Sequence, residues 1–194
     1  GLERDPRAIA WRGGQRLIRC FEPLSSGTTP APWPSPGGCV VSGGTGGLAL
    51  MLAETLAAEG RVALALLSRS GRVTGEAHDT ALRQQKLDAL HAAGVRLKLY
   101  ACDVTDRASL AATLARIRQE LGPITAVVHN AGVPDGAFLA NSERSVTAYA
   151  EGLATKVTGT CLLDELTAGD PLQAFGLAGA LTALTSAPGH AAYT

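Results

Sequence analysis

The chain has 194 residues, 46% of them hydrophobic, and its 17 basic and 17 acidic side chains cancel to a formal net charge of zero. That is enough apolar material for one folded domain with an appendage; with no basic run and few aromatics, it offers a nucleic acid or an anionic membrane surface nothing to grip. No apolar run approaches the roughly 18 residues of a membrane span, and the N-terminal segment lacks the pattern of a secretory signal, so a cytoplasmic protein is expected.

Residues 7–22 read as a β-hairpin, with strands over 8–11 and 16–21 around a Gly13–Gly14 turn. Residues 25–37 are dense in Ser, Thr, Pro and Gly, the composition of a linker. The expected organisation is therefore a hairpin over 1–24, a linker over 25–37 and a main domain over 38–194. In that domain, apolar strands at 39–42, 62–68, 95–101, 124–129 and 172–178 alternate with helices. The helices are expected at 47–59, 80–93, 107–121 and about 142–166, the last interrupted near Gly152 or Gly159. Gly94 fits a helix C-terminus, and Asp106 an N-cap. Uninterrupted apolar strands alternating with helices predict an α/β fold, a doubly wound parallel sheet covered on both faces. The cysteines Cys20, Cys39, Cys102 and Cys161 have no paired spacing, and read as buried thiols in a reducing compartment; no metal site is expected.

In such a sheet a ligand lies along the carboxyl ends of the strands. The first strand ends in Gly43, Gly44, Thr45, Gly46, Gly47 and Leu48, a glycine-rich turn running directly into a helix, which presents backbone N–H groups to a phosphate. Gly43 and Gly44 are expected to take positive φ, and Gly47 to let helix and strand approach closely. The next strand ends offer Ser68 and Arg69, then Asp103 and Val104, then Asn130, Ala131 and Gly132. Any one of these is also an ordinary loop start; four in succession each fit one part of a dinucleotide. Arg69, where an acidic residue would hold a ribose 2′-hydroxyl, suits a 2′-phosphate and favours NADPH over NADH. Asp103 can accept hydrogen bonds from an adenine amine, and residues 130–132 let backbone pass under the nicotinamide ribose.

The segments 42–49 (SGGTGGLA), 67–71 (LSRSG), 102–106 (CDVTD) and 129–133 (HNAGV) together resemble the short-chain dehydrogenase/reductase superfamily. Segments 153–160 (LATKVTGT) and 187–193 (APGHAAY) narrow the resemblance to the ketoreductase domains of modular type I polyketide synthases. The resemblance implies a Rossmann-like sheet and an NADPH-dependent reduction of a β-ketoacyl group. The substrate would be carried on the phosphopantetheine of an acyl carrier protein, with other synthase domains as neighbours. It also makes Tyr193 the proton donor to the developing alkoxide and Lys156 the amine that lowers the tyrosine's pKa or relays its proton. A free tyrosine near pKa 10 needs such a cation to act near neutral pH. Alone, Lys156 would read as a solvated helix lysine and Tyr193 as a surface aromatic.

The sequence departs from the family pattern at several points. Position 180, thirteen residues before the tyrosine, carries Ala180 where the family has a serine that donates to the substrate carbonyl; Thr182 and Ser186 are close in sequence only. Ala49 replaces the last loop glycine and Ser70 a second arginine after Arg69. The stereochemical signature is only partly matched at residues 134–136, and Thr185 stands where the other stereochemical class has tryptophan. The resemblance implies further strands and a substrate lid after Tyr193 and a larger structural half before the hairpin, so the chain is expected to be a C-terminally truncated fragment of a larger polypeptide. Two readings stand at this point, a working ketoreductase and a catalytically silent copy retained as scaffold; a free-standing reductase of small carbonyl compounds fits the hairpin, linker and lysine placement less well.

Overall fold

Five short, mainly apolar runs stack side by side between helices. In the computed structural model, which describes residues 9–23, 37–59, 62–132 and 145–181, these runs are β3 (Gly37–Ser42), β4 (Val62–Ser68), β5 (Leu97–Ala101), β6 (Ile124–His129) and β7 (Ala174–Leu177). They form one sheet in the order β5-β4-β3-β6-β7, and every pairing is parallel. The connections are the helices α1 (Gly47–Glu59), α2 (Ala77–Ala92), α3 (Arg107–Leu121), α4 (Ser145–Leu153) and α5 (Gly159–Thr167), with a π-helical segment, Ala154–Thr158, joining the last two. This is the Rossmann-like α/β architecture expected from the sequence.

Period-two alternation divides the core. Cys39, Val41, Leu64 and Leu66 face one side and pack with Leu50, Ala53 and Leu56 of α1 and with Leu87 and Leu90 of α2. Their neighbours Val40, Ala63, Ala65, Leu67 and Val127 face the other and pack with Leu110, Leu114 and Ile117 of α3 and Leu163 of α5. The second layer is tied by charge as well: Arg118 donates to both carboxylate oxygens of Asp170 (2.9 and 2.6 Å) and to the Leu166 carbonyl (2.8 Å).

The helices α1 and α3 and the strands β4 and β6 have the predicted bounds. Helix α3 starts where its cap predicts, the Asp106 carboxylate accepting from the N–H groups of Ala108 and Ser109. Helix α2 begins three residues earlier than expected, because its N-cap, Glu76, makes no side-chain capping bond that would mark the start. Its far end behaves as expected: Gly94 (φ +76°) follows the last turn, and Val95 and Gly94 donate to Leu90 and His91 in a Schellman pattern. The last strand is shorter than expected, 174–177 rather than 172–178.

The β-hairpin belongs to a first compact unit, Gly1–Pro32, and the sheet to a second, Trp33–Thr194. In the hairpin, β1 (Ile9–Arg12) and β2 (Gln15–Ile18) pair antiparallel from Ile9↔Ile18 to Arg12↔Gln15. Gly13 and Gly14 both have positive φ (55° and 75°), which a two-residue hairpin turn of this hand requires. One sequence expectation fails: of the four free cysteines only Cys39 and Cys102 are buried, while Cys20 and Cys161 are exposed, since neither stands at an inward-facing strand position. Among the described residues no cluster of potential metal ligands occurs and no helix is long and apolar enough to cross a membrane.

Candidate active site

Strand order reverses direction between β3 and β6, and a cleft opens there along the carboxyl ends of the strands, with a volume of about 660 Å³. It is lined after β3 by Gly43, Thr45, Gly46, Gly47 and Leu48, after β4 by Ser68, Arg69 and Ser70, after β5 by Asp103 and Val104, and after β6 by Asn130, Ala131 and Gly132. The sequence-selected residues of the first four strand tips thus share one wall, except Gly44.

The glycine loop works differently from the expectation. Gly43 has φ +64°, and a Cβ on it would stand 2.9 Å from the Ala131 Cα, so the backbones of the β3 and β6 loops touch there. Gly44 does not have positive φ; it is the close-approach glycine, since a Cβ would come within 2.6 Å of the Leu66 Cβ, and its N–H donates to the Leu67 carbonyl. The role assigned to Gly47 therefore belongs to Gly44: Gly47 is exposed and has no atom within 4 Å of where its Cβ would lie. Ala49, standing for the last loop glycine, lies in the first turn of α1 and is fully buried in the core. The first turn of α1 carries no acidic residue, so its N–H groups and the positive end of its dipole face the cleft uncancelled.

At the β5 tip the Asp103 carboxylate accepts from the Thr105 hydroxyl (2.7 Å) and N–H (2.9 Å), both through Oδ1. These bonds, aided by the nearby Arg69 charge, hold the carboxyl below its usual range. Oδ2 has no protein partner among the described residues. Sequence reasoning missed Ser70, Thr74, Arg83 and Thr155, which also line the cleft. Arg83 donates to the carbonyls of Thr45 (3.3 Å), Thr74 (3.1 Å) and Asp79 (3.1 Å) and forms no ion pair among the described residues, so an uncompensated guanidinium stands beside the glycine loop. Nothing in the sequence marks it, because it is one arginine in an otherwise ordinary polar helix.

The other end of the cleft is bounded by the π segment. There Gly159 N–H reaches back five residues to the Ala154 carbonyl. The half-buried Lys156 donates to the Ala178 carbonyl at 3.0 Å, just beyond β7 and two residues before Ala180. Burial lowers the pKa of its amine. The helix interruption expected near Gly152 or Gly159 is this turn, which lies between the two glycines. Tyr193 lies outside the described residues, as do Thr182, Thr185, Ser186 and positions 134–136.

A buried chain of hydrogen bonds joins the two ends. The His129 Nε2–H donates to the Thr155 carbonyl (3.0 Å), which fixes Nδ1 as the acceptor of the Ser42 hydroxyl (2.6 Å). The Ser42 oxygen in turn accepts from the N–H groups of Asn130 and Ala131, each at 3.1 Å. Desolvation lowers the His129 pKa, the Thr155 carbonyl opposes that, and the Lys156 charge reinforces it, so the ring is neutral at physiological pH.

A family model described as "KR domain" matches residues 37–194. The chain is 38% identical over its whole length to "Polyketide synthase GfsB" of Streptomyces halstedii, covering 3% of that protein. It is 39% identical over 80% of its length to "Erythronolide synthase EryA3" of Saccharopolyspora erythraea, covering 4%. Among solved structures, the ketoreductase from the first module of phoslactomycin biosynthesis in Streptomyces sp. HK803 matches 95% of the chain and 41% of its own with a TM-score of 0.76 at 32% identity. A ketoreductase domain from the bacillaene assembly line shares the fold, with a TM-score of 0.80 at 24% identity over 95% of the chain and 42% of its own. The chain thus spans only 3–4% of the length of these two polyketide synthases. A parallel sheet with a glycine-lined cleft at its switch point, and these likenesses, lead to one assignment: the chain belongs to the ketoreductase (KR) domain family of polyketide synthases.

Proposed function

We propose that this chain takes part in the NADPH-dependent reduction of a β-ketoacyl group, presented on the phosphopantetheine of an acyl carrier protein inside a polyketide synthase. The observation that carries the reading is the single cleft that holds a glycine loop, Arg69, the Asp103 carboxylate and the residue 130–132 backbone in the order a dinucleotide needs them. The donor set suits the cofactor: free N–H groups at the start of α1 for the pyrophosphate, a glycine loop held against the Ala131 backbone at Gly43, and Arg69 for a 2′-phosphate. The family match beginning at residue 37 supports a hairpin remnant over 1–24, a linker over 25–37 and a cofactor-binding subdomain over 38–194.

Bound NADPH supplies a hydride to the carbonyl carbon. The chain's own work is to orient the thioester and to manage the proton. In this reading Tyr193 donates a proton to the carbonyl oxygen, and the Lys156 ammonium stabilises the phenolate left behind. Ala180 supplies no hydroxyl to the oxygen. Losing one such donor typically costs about 10²–10³ in rate, and a sequence neighbour does not replace a contact whose geometry is fixed within a fraction of an ångström.

Titration of the full chain with NADPH, followed by nicotinamide fluorescence, tests the cofactor reading: saturable enhancement is expected, and no change removes it. Turnover of a β-ketoacyl thioester tests the chemistry. Ala180 favours a second reading, a domain that binds its cofactor and organises its neighbours without reducing anything; brisk turnover by the natural sequence rules that out.

A further inference from the structure

The Ser42–His129 pair takes no part in cofactor contact or chemistry as described, yet it is among the most enclosed polar groups of the molecule: Ser42 is 0% and His129 2% exposed. The two are register partners at the tips of the central strands. Every hydrogen-bonding valence between them is used. The serine gives its one proton to Nδ1 and receives two amide hydrogens, and the imidazole gives its one proton to Thr155.

What the imidazole reaches is not an ordinary helix carbonyl. In an α-helix the Thr155 carbonyl would receive the Gly159 N–H; the five-residue step sends that N–H to Ala154 instead, and His129 takes up the freed acceptor. The following carbonyl, that of Lys156, is served by the Thr160 hydroxyl (2.5 Å). Space is reserved for the arrangement: a Cβ on Gly159 would lie 3.2 Å from the His129 Cε1 and 3.1 Å from a Val104 methyl. The residue carried by this turn is Lys156, whose amine it aims at the Ala178 carbonyl.

We infer that His129 is a positioning residue for the Lys156 amine: by holding the Thr155 carbonyl it keeps the helix in its five-residue register and the lysine in its half-buried place. Through Ser42 it also ties that turn to the Asn130–Ala131 backbone, so the floor of the cleft and the amine at its end move as one piece. The inference rests on Lys156 being the amine of the reducing site; that reading fails separately, if the wild-type chain does not bind NADPH.

The test reads lysine reactivity and needs no turnover. The sequence has three lysines, and Lys86 and Lys98, in exposed ion pairs, serve as internal references. Acylation of the full chain by an N-hydroxysuccinimide ester is followed by mass spectrometry for the wild type and for His129→Phe, His129→Asn and His129→Gln. Asparagine keeps the acceptor for Ser42 but falls short of Thr155, whereas glutamine reaches the Nε2 position. The Lys156 rate, relative to the references, should rise about three- to tenfold in the Phe and Asn variants, the worth of one hydrogen bond, and return toward wild type with Gln. Should Phe fail to fold, Asn against Gln at matched melting temperature decides. A folded Asn variant with an unchanged Lys156 rate, or a Gln variant that labels like Asn, overturns the inference.

Discussion

The two ends of the cleft are built to different standards. At the glycine-loop end, most of the groups come from backbone, open N–H groups and the close approach of Gly43 to Ala131, with two guanidinium groups, Arg69 and Arg83, close by. Of these groups, only the two arginines are exchangeable side chains. At the Lys156 end, the proposed contributions are single side chains, and one of them, the hydroxyl expected at position 180, is missing from the sequence. On the proposed reading, the difference teaches that binding and catalysis can part company within one fold: a half made mostly of backbone is less open to single substitutions than a half made of side chains.

The largest expected effect tests that separation. Ala180→Ser should raise the steady-state kcat for a β-ketoacyl thioester by about 10²-fold while leaving the NADPH Kd within twofold. No gain in kcat would mean that position 180 is not where the missing donor belongs. At the other end, Arg69→Gln should cut NADPH affinity by about 10- to 100-fold with NADH affinity unchanged, as for a lost charge-assisted bond to phosphate; Arg83→Gln should act in the same direction more weakly, because Arg83 already serves three carbonyls. Equal losses for both nucleotides would move these arginines off the 2′-phosphate.

Two stability measurements sharpen the contrast further. Gly44→Ala places a methyl group against Leu66 and should cost about 1–3 kcal/mol in denaturant unfolding, whereas Gly47→Ala, with open space around it, should be neutral or slightly stabilising. The smallest effect is a pH slope. Folded His129 holds a proton less readily than the unfolded chain, whose imidazole titrates near 6.5. The unfolded state therefore binds more protons as pH falls below that value: stability is complete above about 6.5 and declines toward acid. Lys156 is the charged group that adds to this, and His129→Gln should flatten the melting temperature between pH 7 and 5.

Much of this architecture was legible in the residues. Helix α3 is bracketed by Asp106 and Gly122, and β4 and β6 are uninterrupted aliphatic runs, so local chemistry alone marks their ends. Helix α2 lacks a capping side chain and its start was misplaced. The glycine loop was recognisable as a unit, but which glycine faces a neighbour depends on Leu66, twenty-two residues away, and the close approach falls to Gly44 and not to Gly47. An interruption of the last long helix was legible near Gly152 or Gly159, but its form as a π turn was not. The bond from His129, on another element, to the Thr155 carbonyl is a tertiary contact, and contacts of that kind leave no periodicity behind. Arg83 was invisible for the same reason.

The saturated hydroxyl of Ser42 carries one more implication. Alanine there strands two amide hydrogens and a ring nitrogen together, while threonine must fit a methyl group where there is no free surface. Residues 42 and 129 are thus expected to be energetically inseparable: in a double-mutant cycle, the combined change should cost less than the two single ones added, by about 0.5–3 kcal/mol. Whoever redesigns one of them must redesign both.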